Sequence, residues 1–512
     1  MKRTEREEGT DGETVPCFFS QRTLMAVMGF FGFIFVYGLR VNLSVAIVCM
    51  VKKDNTTGNT STNVSSCGAD DSNTSYSKNV GEFDWDKSTQ SSIMASFFYG
   101  YIVTQLPGGW MAGRFGGQRV LLVGMSIVTL TTLLFPVLAR TDYRLVYVLR
   151  VINGLASGVS FSSMHTLLGR WAPPRERSRL ASFVYSGHMV GNILIYIGAG
   201  QLCAYGFDNG WGSVFYLSGS ICVVWLVLWG LLVSESPEKC KRISEAERNY
   251  IMKSIGSQLG QKFKVPWKAV FTSKAMWVCL IANTCNNFMH FTLQTSLPIF
   301  MDEVLHFNIQ QNGLLSAVPY MAMAVSSVAG SHVADYCIRR CLSTKVTRRL
   351  FQVVAFVGSG SCLVATGFIP CENRHLGPVL LALAVGFEGL CFSGYMVNQI
   401  DFAPRYAGFL MGVSSFFSTI PGLIAPLIVG ALTPNKTQEE WRLVFYICAG
   451  IALLGAIVFG LFAQTDEEPW AKETTKDISL PSKETSKEAH TYDNKAWNPD
   501  DEPEKTVYNI EL

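Results

Sequence analysis

Twelve apolar stretches, each close to the ~20 residues needed to cross a hydrocarbon core, constrain this chain more than any other feature. Six run at about 24–50, 89–112, 119–139, 143–168, 180–205 and 212–234; six more, after a polar interval, at 274–303, 311–335, 348–369, 375–399, 406–431 and 441–464. In lipid every backbone polar group must be satisfied inside the protein, so such stretches fold as helices. Only 16% of the 512 residues are charged, against ~25% in soluble domains. The expected class is an all-α membrane protein of twelve transmembrane helices in two six-helix halves. No P-loop, nucleotide fingerprint or nucleophile constellation is present, so neither an enzyme, a bound cofactor nor a nucleic-acid partner is expected.

The polar intervals set the domain reading. Residues 1–22 carry mixed charge and no apolar leader, so they are expected to form a cytoplasmic tail. The first bundle spans 23–235, with an external loop at about 51–88, and a basic cytoplasmic linker follows at 236–270. The second bundle spans 271–464, and the charged segment 465–512 reads as a disordered cytoplasmic tail. The loops then placed inside are rich in arginine, as the positive-inside rule requires. Asn55, Asn59, Asn63, Asn73 and Asn435 open N-x-S/T sequons on the opposite face, which predicts a glycosylated surface. The 14 cysteines show no metal spacing and lie mostly in apolar runs, where cysteine acts as a small hydrophobe; Cys67 and Cys371, in polar loops, are the pair open to a disulfide. The end, Tyr508-Asn509-Ile510-Glu511-Leu512, has the apolar spacing that adds as a strand to a PDZ-type groove. A monomer surrounded by lipid is expected.

The halves repeat. Gly109 through Arg119 (GWMAGRFGGQR) follows the second span, and Gly330 through Arg340 (GSHVADYCIRR) follows the eighth. Parallel repeats of six spans fit the major facilitator architecture, whose halves rock about a site near the midplane. Gly109, Arg114, Arg119, Asp335 and Arg340 are therefore expected to gate the inner face, with the arginines facing helix-end carbonyls or a carboxylate such as Asp335. In WAPPRERSR, Pro173 and Pro174 stiffen the turn, and Glu176 is expected to pair with surrounding arginines such as Arg177 as a hinge clamp.

Charge within a span is costly and marks function by default. Arg40 lies mid-span, and a planar, permanently charged donor suits a carboxylate or phosphate. Arg150, in the fourth span, is a second anion contact. Tyr101, Asn286 and Asn287 are expected to add contacts to a small anionic substrate. His165, on the same helix as Arg150, is the residue expected to couple transport to H+ or Na+, because histidine changes charge near neutral pH.

The segments YGLRVNLSVAIV, FFYGYIVTQLPGG, WAPPRERSRL, NGLLSAVPY and DFAPRYAG with its following TIPG resemble the anion transporter family of sialin, the vesicular glutamate transporters and the sodium–phosphate cotransporters. The likeness covers about residues 20–465 and is strongest to sialin in the late segments. It implies a major facilitator fold and symport of organic anions such as acidic sugars or acidic amino acids, with inorganic phosphate as the alternative cargo and a non-transporting scaffold or sensor as the alternative class. It implies lysosomal, vesicular or plasma membranes. It places the family's two arginines on Arg40 and Arg150 and its fourth-span histidine on His165. The pattern departs at four positions: Asn153 and Ser157 stand where members carry fourth-span glutamates, Asn286 where glutamate carriers have a seventh-span arginine, and Met94 where they have a second-span histidine.

Overall fold

The computed structural model describes residues 20–52, 81–255, 266–403 and 406–471. The sequons at Asn55, Asn59, Asn63 and Asn73, Cys67, the side chain of Cys371, and the carboxy-terminal segment lie outside the described residues.

The first half contains α1 (Gln21–Met50), α2 (Lys87–Phe115), α3 (Gly117–Ala139), α4 (Tyr143–Ser157), α5 (Ser160–Trp171), α6 (Pro174–Tyr205) and α7 (Trp211–Leu232). Short helices α8 (Glu245–Ile255) and α9 (Trp267–Thr272) connect it to the second half. There follow α10 (Lys274–Glu303), α11 (Ile309–Arg340), α12 (Thr344–Thr366), α13 (Leu376–Glu388), α14 (Tyr395–Phe402), α15 (Ala407–Ser418), α16 (Ile420–Leu432) and α17 (Gln438–Phe462). With α4–α5, α13–α14 and α15–α16 each forming one interrupted rod, the long helices make two sets of six. Ten rods are apolar and long enough to cross a membrane; α2 and α10 are the other two long rods, and each buries several polar side chains, among them Gln90 and Ser96 on α2 and Asn283, Asn286 and Gln294 on α10.

The chain is apolar outward and polar inward. Val123, Leu130 and Val137, seven residues apart on α3, are all exposed, as on a lipid-facing stripe. Asn42, Asn153, Gln294, Asn312, Gln352 and Glu388 are buried.

We call the end of the bundle bearing Gln21 and Phe462 the terminal end, and the opposite end, with Met50 and Lys87, the far end. At the far end Cys49 and Cys203 form a disulfide between α1 and α6. This corrects the reading of these two cysteines as plain apolar residues: hydropathy does not reveal which cysteines face one another across helices. The loops here are clasped by Arg140, which lies 2.8 Å from Glu82 and 2.8 Å from Asp208 and stacks 4.7 Å over Trp211.

At the terminal end, the linker helix α8 docks on α1. The Glu247 carboxylate accepts the backbone N–H groups of Gln21 and Arg22, each at 3.1 Å, where a helix N-terminus favours negative charge. Arg22 stacks 5.0 Å over Tyr250 and pairs with Glu176 at 3.3 Å. Glu176, expected to pair with its own loop's arginines, thus takes an arginine from α1, 154 residues earlier, where loop composition gives no hint.

Candidate functional site

Arg40 sits on α1 about two-thirds of the way from the terminal end, 7% exposed. Five aromatic rings surround its guanidinium: Tyr37 from its own helix, Phe97, Phe98 and Tyr101 from α2, and Phe291 from α10, with centroids 4.9–5.5 Å away. The rings offer π faces to the cation but no carboxylate. Its Nη2 is buried without a hydrogen-bond partner. Arg150 on α4, 5% exposed, packs 5.2 Å from the same Phe97 ring and donates to the Arg40 backbone carbonyl at 3.4 and 3.5 Å. Its Nε also lacks a partner. Two guanidiniums thus flank one ring, and among the described residues neither has an acidic ion-pair partner. A small cavity lies between them, walled by Ser44, Met94, Gln294 and Thr295. One half therefore supplies the cations and the other, through α10, supplies the opposite wall.

Tyr101 is part of this cage. Asn286 and Asn287 bond elsewhere: Asn286 Oδ1 accepts from Cys391 Sγ at 2.9 Å, and Asn287 Nδ2 donates to the Asn283 carbonyl of its own helix at 2.9 Å. His165 on α5 is exposed, its ring 5.1 Å from that of Tyr185. At the departures from the family pattern, Asn153 Nδ2 donates to Thr131 Oγ1 at 3.2 Å and Ser157 Oγ to Asn153 Oδ1 at 3.5 Å. A neutral hydrogen-bonded chain fills that position.

The two halves meet closely at the far end. Lys87 on α2 holds both Glu303 oxygens on α10 at 2.5 and 2.7 Å, and Trp441 Nε1 donates to the same carboxylate at 3.2 Å. Gly200 on α6 and Gly313 on α11 bring their backbones so close that a Cβ on Gly313 would lie 2.7 Å from the Gly200 Cα. The Tyr196 hydroxyl crosses between halves to the Gln294 carbonyl at 2.8 Å. The terminal end is splayed instead. Nothing lies within 4 Å of a Cβ built on Gly109 or Gly113. Arg114, Arg119, Asp335 and Arg340 are exposed, Arg114 resting 5.8 Å over Trp110. Arg177 is half-buried, with Nε unpartnered. Asn435 is exposed at the far end, its Nδ2 donating to Glu440 at 2.7 Å.

Sequence reasoning missed one acid and the partner of another. Glu235, just beyond α7, accepts Gly117 N–H at 3.0 Å and Gln118 N–H at 2.9 Å and pairs with Arg170. It thus caps the N-terminus of α3 and ties it to α5 through Arg170; an acid directly after the last span of a half was the available signal. Glu388, the last residue of α13, lies 3.3 Å from His290 Nδ1 on α10. Both were visible as intramembrane polar residues, but 98 positions separate them.

The Major Facilitator Superfamily model matches residues 29–426 and 341–498. Sialin of Homo sapiens is 39% identical over 484 residues, covering 92% of this chain and 97% of sialin. Vesicular glutamate transporter 2 of Mus musculus is 38% identical over 470 residues, covering 90% of this chain and 78% of that protein. Among solved structures, a bacterial homolog of the human lysosomal transporter Spinster, inward-facing and unoccupied, superposes with a TM-score of 0.66 at 11% identity, covering 88% of this chain and 99% of that one. The xylose transporter XylE from E. coli in a partially occluded inward-open conformation gives 0.62 at 16% identity, covering 89% and 99%. At these identities the structures show the fold alone.

Proposed function

Because the chain belongs to the major facilitator superfamily and, within it, to the family of sialin and the vesicular glutamate transporters, we infer that it is a secondary transporter of small organic anions, working by alternating access. The observation that carries the reading is the pair of buried, acid-free guanidiniums of Arg40 and Arg150. A buried charge without a partner is strongly destabilising, and a substrate carboxylate supplies the missing charge. Arg40 Nη2 and Arg150 Nε are the free donors that would receive it, and a planar guanidinium matches a carboxylate through two parallel hydrogen bonds. The ring cage excludes water from that contact, which strengthens it.

The anion reaches the site from the splayed terminal end. Filling the charge deficit lets the halves close over it, bringing Gly109, Arg114 and Arg119 of one half towards Asp335 and Arg340 of the other. The Lys87–Glu303 pair then parts and opens the far end. The arginine-rich terminal end is the cytosolic one under the positive-inside rule, which puts Asn435 on the opposite side. The name of the vesicular glutamate transporter favours a vesicular membrane.

Proteoliposomes given radiolabelled N-acetylneuraminate, aspartate or inorganic phosphate, under imposed pH, sodium or voltage gradients, test the reading. Saturable uptake of at least one organic anion, lost on Arg40→Gln, is expected. Sodium-driven uptake of phosphate alone would replace the cargo, and no uptake of any probe by the wild type would remove the transport reading.

A further inference from the structure

A transporter that accumulates an anion needs a second, coupled event, and the fourth-span positions that would supply a proton-carrying carboxylate are neutral here: Asn153 and Ser157 form a hydrogen-bonded chain with Thr131. The titratable pair lies in the other half. Glu388 is 1% exposed, its Oε2 3.3 Å from His290 Nδ1 and its Oε1 buried with no partner. Besides Glu247, which caps α1 at the terminal end, it is the only glutamate or aspartate in the buried set of the described residues. We propose that His290 and Glu388 form the proton-binding site that couples anion movement to the pH gradient, in place of fourth-span carboxylates. This rests on the transporter reading above.

Three observations carry it. The first is the open valence at Glu388 Oε1, which can hold a proton without breaking an existing bond. The second is the backbone. Glu388 ends α13, and the rod passes through a 3₁₀ turn, Gly389–Ser393, before α14 begins. The freed Tyr395 N–H is taken by Gln352 Oε1 at 3.1 Å. Interrupted helices at the midplane are where transporters of this architecture place ion sites, because the break lets the side chain's surroundings change as the halves move. The third is connection to the anion site. The His290 ring centroid lies 6.2 Å from that of Tyr320 and 5.8 Å from that of Phe291, which is itself 4.9 Å from the Arg40 guanidinium.

The groups around the pair leave it the proton. His188 on α6 lies within electrostatic reach of His290, and Tyr320 on α11, Cys391 in the 3₁₀ turn, Tyr395 on α14 and Cys448 on α17 lie within electrostatic reach of Glu388. None is a carboxylate or a permanent cation. With histidine neutral, the pair carries one negative charge; one proton taken from water on the acidic side makes it neutral, and the same proton leaves to water on the other side. Loss of that negative charge strengthens the local field of Arg40 and Arg150 towards an anion, and its return weakens it. Proton and anion therefore bind together and leave together.

The test compares wild type with Glu388→Gln in proteoliposomes, using labelled N-acetylneuraminate and aspartate. Two rates are read: accumulation driven by a pH gradient, and exchange between equal concentrations on both sides. The ratio of accumulation to exchange is expected to fall at least about tenfold in Glu388→Gln. An unchanged ratio overturns the proposal, as does wild-type accumulation that ignores pH while following sodium or voltage, and both outcomes leave the transporter reading standing. His290→Gln provides a second variant, expected to move the pH midpoint of accumulation by about one unit or more; an unmoved midpoint counts against the pair. Infrared difference spectra of the purified protein need no substrate. A carboxylic C=O band that titrates in the wild type and is missing in Glu388→Gln supports the site even where neither probe is carried, and spectra identical in the two proteins overturn it.

Discussion

A guanidinium held among aromatic rings with no acid opposite it is a strained arrangement until an anion arrives. Arg40 and Arg150 share that condition and one ring, Phe97. Charge-assisted hydrogen bonds are worth about 1.5–3 kcal/mol, so Arg40→Gln should weaken binding of a carried anion by roughly 10–150-fold, read as the dissociation constant on purified protein. Arg40→Lys should recover only part of the loss, because an ammonium lacks the fork that engages both carboxylate oxygens. Arg40→Gln should also raise thermal stability without ligand, by removing a desolvated charge. Arg40 was legible in the sequence because a lone arginine in an apolar run is conspicuous. Its surroundings were not: Tyr37 and Tyr101 could be suspected from spacing, but Phe291 arrives from α10 and only the fold brings it there. The same limit hid the His290–Glu388 contact, whose members lie 98 positions apart on different helices.

At the scale of elements, hydropathy located the twelve rods to within a few residues and missed their interruptions. The break at Gly158 occurs where the Thr104 hydroxyl on α2 takes the Leu155 carbonyl at 2.8 Å, and the break after Glu388 where Gln352 takes a freed amide. Both depend on partners from another rod, so no local pattern encodes them. Helix ends carry predictions of their own. A Cβ on Gly313 would also lie 2.7 Å from the Tyr196 carbonyl, so Gly313→Ala should wedge α6 from α11 and favour an open far end, slowing exchange by about tenfold, or about 1.4 kcal/mol. The far-end loop clasp predicts a pH dependence. The hydrogen bond from Arg140 holds the Glu82 carboxyl below its usual range, with Asn209 and Trp211 adding to it. A lowered folded-state value stabilises above the ordinary glutamate value, near about 4.3, and the contribution fades as pH falls through the folded value. Wild-type melting temperature should therefore hold down to about pH 5, above that value, and drop in stronger acid, while Arg140→Gln should show a smaller drop over the same range.

For the whole molecule, the far end is sealed by contacts between halves and the terminal end by none of comparable closeness among the described residues. This is one face of a two-state device, and its balance is set by few contacts. Lys87→Gln leaves the half-buried Glu303 beside Trp441 without its cation. That should favour far-end opening, seen as faster labelling of far-end cysteines introduced between α2 and α10, and Glu303→Gln paired with Lys87→Gln should restore part of the closure. In the proposed function, these contacts present one charge deficit alternately to two sides. The most direct test is equilibrium binding of N-acetylneuraminate and aspartate to purified wild type, Arg40→Gln, Arg150→Gln and the double variant, each probe compared with its methyl ester. Binding that needs the free carboxylate and both arginines, with the two losses less than additive, is the predicted result. Equal binding of acid and ester, or affinity untouched by either substitution, would contradict an anion site at Arg40 and Arg150.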